Sequence, residues 1–204
     1  MKGFENISSN TADVMKEIGS IGMGNASTAL SSLLNTTITM EVPKVDILKF
    51  SKVVEVVGNP EDEVVAVLVN MTQNLSGSLL VYFKLKTVNV ITKAMLNKTY
   101  DSYDDLDELG MSALIEIGNI LISSYINALS ALVDIDITLE VPSYTINMIG
   151  AILNVLMVQV GYDADHLLMV SGKSIIDNET HDISVIMAPT VETLEQIFGK
   201  LGVY

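Results

Sequence analysis

The chain has 204 residues, 49% of them apolar and 18% charged, the composition of a packed protein rather than a disordered one. It contains no Cys, which excludes disulfides, thiol nucleophiles and thiolate metal sites. Its 25 acidic residues against 11 basic ones give a formal net charge of -14, which disfavours nucleic acid as a partner.

The opening segment, MKGFENISSNTADVMKEIGS, lacks the apolar run and small-residue cleavage site of a secretory signal. No uninterrupted apolar stretch reaches the roughly 18 residues of a membrane span, so the expected location is the cytoplasm, with no transmembrane segment. A helix is predicted over about 11–34, with Val14, Ile18, Ile21, Ala29 and Leu33 as its buried stripe. Glu17 and Ser20, three residues apart, share another face with Gly24, Ser27 and Ser31. Gly19, Gly22 and Gly24 each weaken the helix by roughly 1 kcal/mol relative to Ala. They serve either close packing inside the fold or the approach of a partner's backbone.

The fragment ITMEVP (38–43) then alternates with period two and stops at Pro43, as a strand does before proline. EVVAVLVN (63–70) and GSLLVYFK (77–84) read as strands joined by a turn near 74–77, and a helix follows over 87–98. The acidic linker TYDSYDDLD (99–107) has no apolar run that needs a core. A second long helix begins after Asp105, where DLDE fits a capping box ending on Glu108, and runs to about Val133. Leu109, Ala113, Ile117, Ile120 and Leu132 form its predicted apolar side. Glu116 and Asn119 lie on the face that carries Ser112, Ser123 and Ser130. ITLEVP (137–142), strands at 165–172 and 182–189, a turn at 177–180 and a helix over 190–200 complete the chain.

The second series repeats the first. At an offset of 99, residues 17–45 and 116–144 align without a gap and agree at 13 of 29 positions, where unrelated segments agree at roughly one in fifteen. The expected architecture is α/β: one unit over 1–204 with repeats at about 11–98 and 106–204, related by a pseudo-twofold axis. Locally joined strands favour a largely antiparallel sheet with helices packed on it. Each half could lend its sheet edge to the other, and the pattern leaves open whether strands are exchanged.

Autonomous chemistry is scarce. His166 and His181 flank the predicted second hairpin, where core-edge or turn positions suit them better than zinc ligation, and HExxH is absent. No GxxxxGK[ST], GxGxxG or GxSxG occurs. GSIGMG (19–24) lies inside a helical repeat whose other copy reads GNILIS, which argues against a phosphate cradle. A Glu-x-x-Asn pair alone fits any solvated helix face. Here the pair sits among small residues, leaving a flat surface that another protein could approach.

Glu116-x-x-Asn119 is followed by Pro142 after 22 intervening residues, and Glu17-x-x-Ser20 by Pro43 at the same distance. With EIGNI (116–120) and EIGSIGMGNASTAL (17–30), this pattern resembles the CheC/CheX/FliY family of chemotaxis phosphatases, and its CheC branch most, over almost the whole chain. The resemblance implies a three-layer sandwich with a continuous antiparallel sheet and two long pseudo-symmetric helices on one face. It also implies hydrolysis of the aspartyl phosphate of a phosphorylated CheY-type response regulator. Asn119 would hold a water in line with phosphorus, and Glu116 would engage the regulator's active-site lysine. Mg2+ would reside in the regulator's receiver domain, with no cofactor or metal bound by this chain. CheD, a receptor-modifying glutamine deamidase, is implied as a further partner. The departure is Ser20, whose hydroxyl reaches about 1.5 to 2 Å less than an Asn amide. Glu17 and Ser20 therefore make a weak, degenerate or binding-only second centre, and Asn25 is off the repeating position and does not replace Ser20. The competing reading is a noncatalytic chemotaxis adaptor or a regulator of CheD.

Overall fold

The computed structural model describes residues 9–40, 44–160, 166–176 and 179–202. The first half contributes α1 (Ser9–Leu34), β1 (Thr39–Met40), β2 (Lys44–Lys49), α2 (Phe50–Val57), β3 (Glu63–Thr72), β4 (Gly77–Phe83) and α3 (Leu85–Leu96). A 3-10 turn, Tyr103–Asp105, leads into the second: α4 (Glu108–Val133), β5 (Thr138–Leu139), β6 (Ser143–Met148), α5 (Ile149–Val160), β7 (His166–Ile176), β8 (Glu179–Pro189) and α6 (Val191–Leu201). From α1 to the first residue of α2, every bound recurs 99 residues later. The correspondence then loosens, because α5 has 12 residues where α2 has 8.

Each long helix ends for the same local reason. Asn35 (φ 49°) and Asp134 (φ 52°), one repeat apart, take the left-handed conformation that their short polar side chains tolerate. Serines in the preceding turns then hold the departing chain. Ser27 Oγ donates to the Ile38 carbonyl at 2.6 Å, Ser31 Oγ accepts from the Ile38 amide at 2.9 Å, and Ser130 Oγ donates to the Ile135 carbonyl at 2.7 Å.

The sheet has the order β1-β7-β8-β4-β3-β5, with β2 also on β7 and β6 also on β3, and all these pairs are antiparallel. The halves exchange strands. β1 and β2 of the first half close the sheet edge of the second, while β5 and β6 of the second close that of the first. β4 and β8 meet at the centre, with Val81 opposite Val185. Alternation along the strands sends Val65, Val67, Leu79, Val81, Val170 and Val185 under α1, α3, α4 and α6. Val64, Ala66, Leu80, Met169 and Ile186 face α2 and α5 on the other side. These are the three layers of the expected sandwich. Each fully buried Val, Leu or Ile side chain contributes about 1.5–3 kcal/mol by leaving water.

Several local expectations are corrected. Ile21, Leu33, Leu109 and Leu132 are exposed at 40–54%, not buried. The seam of α1 runs instead through Met15, Ile18, Gly22, Ala26, Leu30 and Leu34, because small residues let the two long helices come together. The cap of α4 is Asp107, whose carboxylate accepts from the Gly110 amide at 2.8 Å. Asp105 instead closes a capping box with Ser102 on the 3-10 turn. The linker is anchored rather than independent of the core, since Tyr100 is buried. The sequence pattern also missed β2, β6, α2 and α5. His181 lies buried within β8, whereas His166 opens β7 with its side chain outside the described residues. Pro43 and half of the predicted 177–180 turn, residues 177–178, also lie outside them.

By length and composition α4 is the one helix among the described residues long and apolar enough to cross a bilayer. Its apolar side packs on α1 and the sheet, with Leu114, Ile117, Leu121, Ile122 and Leu129 all buried.

Candidate functional site on the paired long helices

α1 and α4 lie against each other on one face of the sheet, and their close approach is set by glycine. A Cβ on Gly22 would stand 2.9 Å from the Tyr125 Cα, so this crossing needs the missing side chain. Gly118 does the same between α4 and the sheet: a Cβ there would meet three carbons of Val67 at 2.9–3.0 Å. Gly24 differs, with nothing within 4 Å of its Cβ position. Of the two explanations for the helix glycines, close packing accounts for Gly22, and open space surrounds Gly24.

The four predicted site residues fall on these helices as two repeat-related pairs. Glu17 and Glu116 are exposed, and Ser20 and Asn119 are half-buried beside them. Ile117 and Gly118, between Glu116 and Asn119, are buried, which turns the flanking pair outward on one edge of the helix. Ser20 Oγ donates to the Lys16 carbonyl at 2.8 Å and is thus folded back on its own helix. Asn119 has a different neighbour: its Oδ1 accepts from Ser123 Oγ at 3.4 Å. The two half-sites therefore differ in reach and in orientation, not only in residue type. Asn25 is exposed on α1.

Pro142 lies between β5 and β6, where the missing amide hydrogen interrupts the ladder to β3. The preceding Glu140 is pinned to β3: its amide donates to the Asn70 carbonyl at 2.9 Å, and its carboxylate accepts from Asn70 Nδ2 at 3.0 Å. The 22-residue spacing from Asn119 thus spans the rest of α4, the left-handed turn at Asp134 and the short β5. It places a fixed strand break after the site helix.

Glu116 is exposed and Asn119 half-buried, and the pair lies apart from two clefts of the described residues. One cleft, about 530 Å³, is lined by Val56, Tyr82, Lys84, Asp182 and neighbours beneath α2; another lies at the end of α1 around Ser27, Ser31 and Asn35. Neither includes Glu17, Ser20, Glu116 or Asn119. Among the described residues no three His, Cys, Asp or Glu side chains are grouped to hold a metal ion. What the pair offers is a carboxylate and a carboxamide on an open helix face, able to pair a cation and to orient a water on something brought to it.

Gly118 and Ser123 are the supporting residues that sequence reasoning did not single out. Gly118 had a signal, since the repeat carries Gly19 at the matching position. Ser123 had its place on the face of Glu116 and Asn119, but no support from the repeat, because its counterpart is Gly24.

The CheC-like family profile matches residues 11–47 and 109–146, the two helix-to-strand segments that carry these pairs. The CheY-P phosphatase CheC of Bacillus subtilis (strain 168) is 27% identical over 206 residues, 99% of each chain. The crystal structure of Thermotoga maritima FliY matches with a TM-score of 0.76 and 24% identity, over 97% of this chain and 98% of that one. A chain of the CheX-CheY-BeF3-Mg+2 complex from Borrelia burgdorferi matches with a TM-score of 0.53 and 19% identity, over 83% of this chain and 95% of that one. These two structural likenesses concern the fold.

Proposed function

We propose that this protein hydrolyses the aspartyl phosphate of a phosphorylated CheY-type response regulator, with Glu116 anchoring the regulator and Asn119 orienting the attacking water. The observation that carries this reading is the exposed Glu116/Asn119 pair on α4, outside both clefts, in a chain related along its length to a CheY-P phosphatase. An open carboxylate and carboxamide suit a substrate that is itself a folded surface and brings the remainder of the active centre.

The chemistry needs little more from this side. Water adds to phosphorus in line with the acyl oxygen, the P–O bond to the aspartate breaks, and its electron pair leaves with the carboxylate. The Asn119 amide accepts one hydrogen bond and donates another, which fixes the water without acting as a base. Glu116 pairs with the regulator's active-site lysine, holding the water over phosphorus. We assign Mg2+ to the receiver domain, where it neutralises charge on the phosphoryl oxygens. The cytoplasm is the compartment in which this reading places the protein. CheD remains a second proposed partner on the family resemblance.

Glu17 and Ser20 form the lesser centre, because the Ser20 hydroxyl is short and already donates to Lys16. Phosphate release from an acyl-phosphorylated CheY-type receiver tests these assignments. Asn119→Ala should remove most of the acceleration with receiver binding retained, Glu116→Ala should chiefly weaken binding, and Ser20→Ala should have a smaller effect. Equal losses in Asn119→Ala and Ser20→Ala would refute the asymmetry. Receiver binding by the wild-type protein with no faster phosphate loss would select the adaptor reading.

A further inference from the structure

The carboxamide of Asn119 can act on a water only if its own orientation is limited, and Ser123 Oγ lies within reach of its Oδ1. We infer that Ser123 is a positioning residue for Asn119, an inference that rests on the phosphatase reading above. The two residues are one helical turn apart on α4, both half-buried, with Ser123 Oγ 3.4 Å from Asn119 Oδ1. Other helical hydroxyls of this chain behave differently. Ser20, Thr28, Thr92 and Ser112 each donate to the backbone carbonyl four residues back, at 2.8–3.1 Å. Ser123 is directed at the side chain of the residue four back.

At 3.4 Å the contact is long for an O–H···O bond, the geometry of a loose tether that shortens when the carboxamide is also held by water and substrate. Oδ1 has two lone pairs; Ser123 engages one and leaves the other, with both N–H donors, for water and phosphoryl oxygen. The tether restricts rotation of the amide about its terminal torsion, so less freedom is lost on reaching the reactive arrangement.

The repeat supplies an internal control. Ser123 corresponds to Gly24 and Asn119 to Ser20. The first half-site therefore lacks the carboxamide and its tether together. Nothing lies within 4 Å of a Cβ at Gly24, so the fold has room for a serine there. The tether is absent without steric cause.

The test combines a rate measurement with a readout independent of turnover. In single-turnover dephosphorylation of a Mg2+-loaded, phosphorylated CheY-type receiver, Ser123→Ala should lower the rate at saturation about tenfold, below the 10²-fold scale of a full 1 Å misplacement. The half-saturating receiver concentration should stay unchanged, and Ser123→Thr, which keeps the hydroxyl, should recover most of the rate. In the free protein, NMR relaxation of the Asn119 side-chain NH2 should report greater motion in Ser123→Ala than in wild type or Ser123→Thr. In an Asn119→Ala background, Ser20→Asn with Gly24→Ser should exceed Ser20→Asn alone several-fold. A wild-type rate in Ser123→Ala, or unchanged NH2 motion, overturns the positioning role while leaving the phosphatase reading intact. A wild-type protein inactive on the receiver overturns the phosphatase reading and the catalytic part of this inference with it. Equal losses in Ser123→Ala and Ser123→Thr, with lowered thermal midpoints, would make Ser123 a packing residue.

Discussion

Substituting Gly118 by Ala would test whether the site helix is held at the depth the structure shows. The added Cβ would stand 2.9 Å from the Cβ and Cγ2 of Val67 and 3.0 Å from its Cγ1. Val67 is β-branched, fully buried, and paired in β3 to both Val81 and Tyr144, so it has no flexible end that could give way. α4 must lift instead. Overpacking of this kind costs about 1–3 kcal/mol, while replacing Gly by Ala inside a helix returns about 1 kcal/mol. The expected net loss is up to about 2 kcal/mol, a Tm lower by up to roughly 8 °C for a chain of this size. Because Gly118 stands between Glu116 and Asn119, the lift also moves the pair, and phosphate release should fall about 10- to 100-fold. Gly24→Ala is the control: with open space at its Cβ, it should raise stability by about 1 kcal/mol. Thermal unfolding and single-turnover phosphate release on both variants decide the matter. If Gly118→Ala stabilises the protein as Gly24→Ala does, the close approach of α4 to β3 is wrong.

Two further predictions concern stability. The Tyr125 hydroxyl is fully buried with no hydrogen-bond partner among the described residues, and burial holds it above the ordinary phenol range; Tyr125→Phe should therefore raise stability by about 1 kcal/mol in urea unfolding, and a loss would show that the hydroxyl is satisfied. Asp107 is held well below the usual carboxylate range, first by Lys98, then by the Gly110 amide and the Tyr100 hydroxyl. A depressed folded-state value means that its stabilisation is present above the unfolded-state value near pH 4 and is lost as pH falls through the folded one. Asp107→Asn should accordingly flatten the fall of Tm between about pH 5 and pH 2; parallel curves for variant and wild type would contradict that linkage.

The 99-residue offset was legible because duplication left long matching words, and it locates α1, β1, β2 and the start of α2 in the second half to the residue. The strand β6 was missed although Tyr144, Ile146 and Met148 alternate with Ser143, Thr145 and Asn147, because Pro142 was read as the end of its strand; most of β6 is exposed. Pro43 and Pro142 read as ends of strands; Pro142 is a break between two strands on the same partner. Strand exchange has no local signature, because β2 carries the same pattern whether it pairs with β3 or β7. Ile21, Leu33, Leu109 and Leu132 were misassigned to the core because apolar character outweighed phase, while the true seam passes through Gly22 and Ala26. Glu116 and Asn119 were found by their spacing from each other and from Pro142. Gly118 as a support became visible only once the neighbouring strand was known, and Ser123, already placed on the same face, only gained its contact with Asn119 from the side-chain directions.

The central claim is that this protein supplies two side chains to an active centre completed by its partner. The most direct measurement is a time course of phosphate release, with metal controlled, from a folded phosphorylated CheY-type receiver and, in parallel, from a small phosphomonoester. Acceleration is expected only with the receiver and only while Mg2+ is bound to it, and prior treatment of this protein with a chelator that is then removed should leave the rate unchanged. Rapid hydrolysis of the small ester without any receiver would contradict the account.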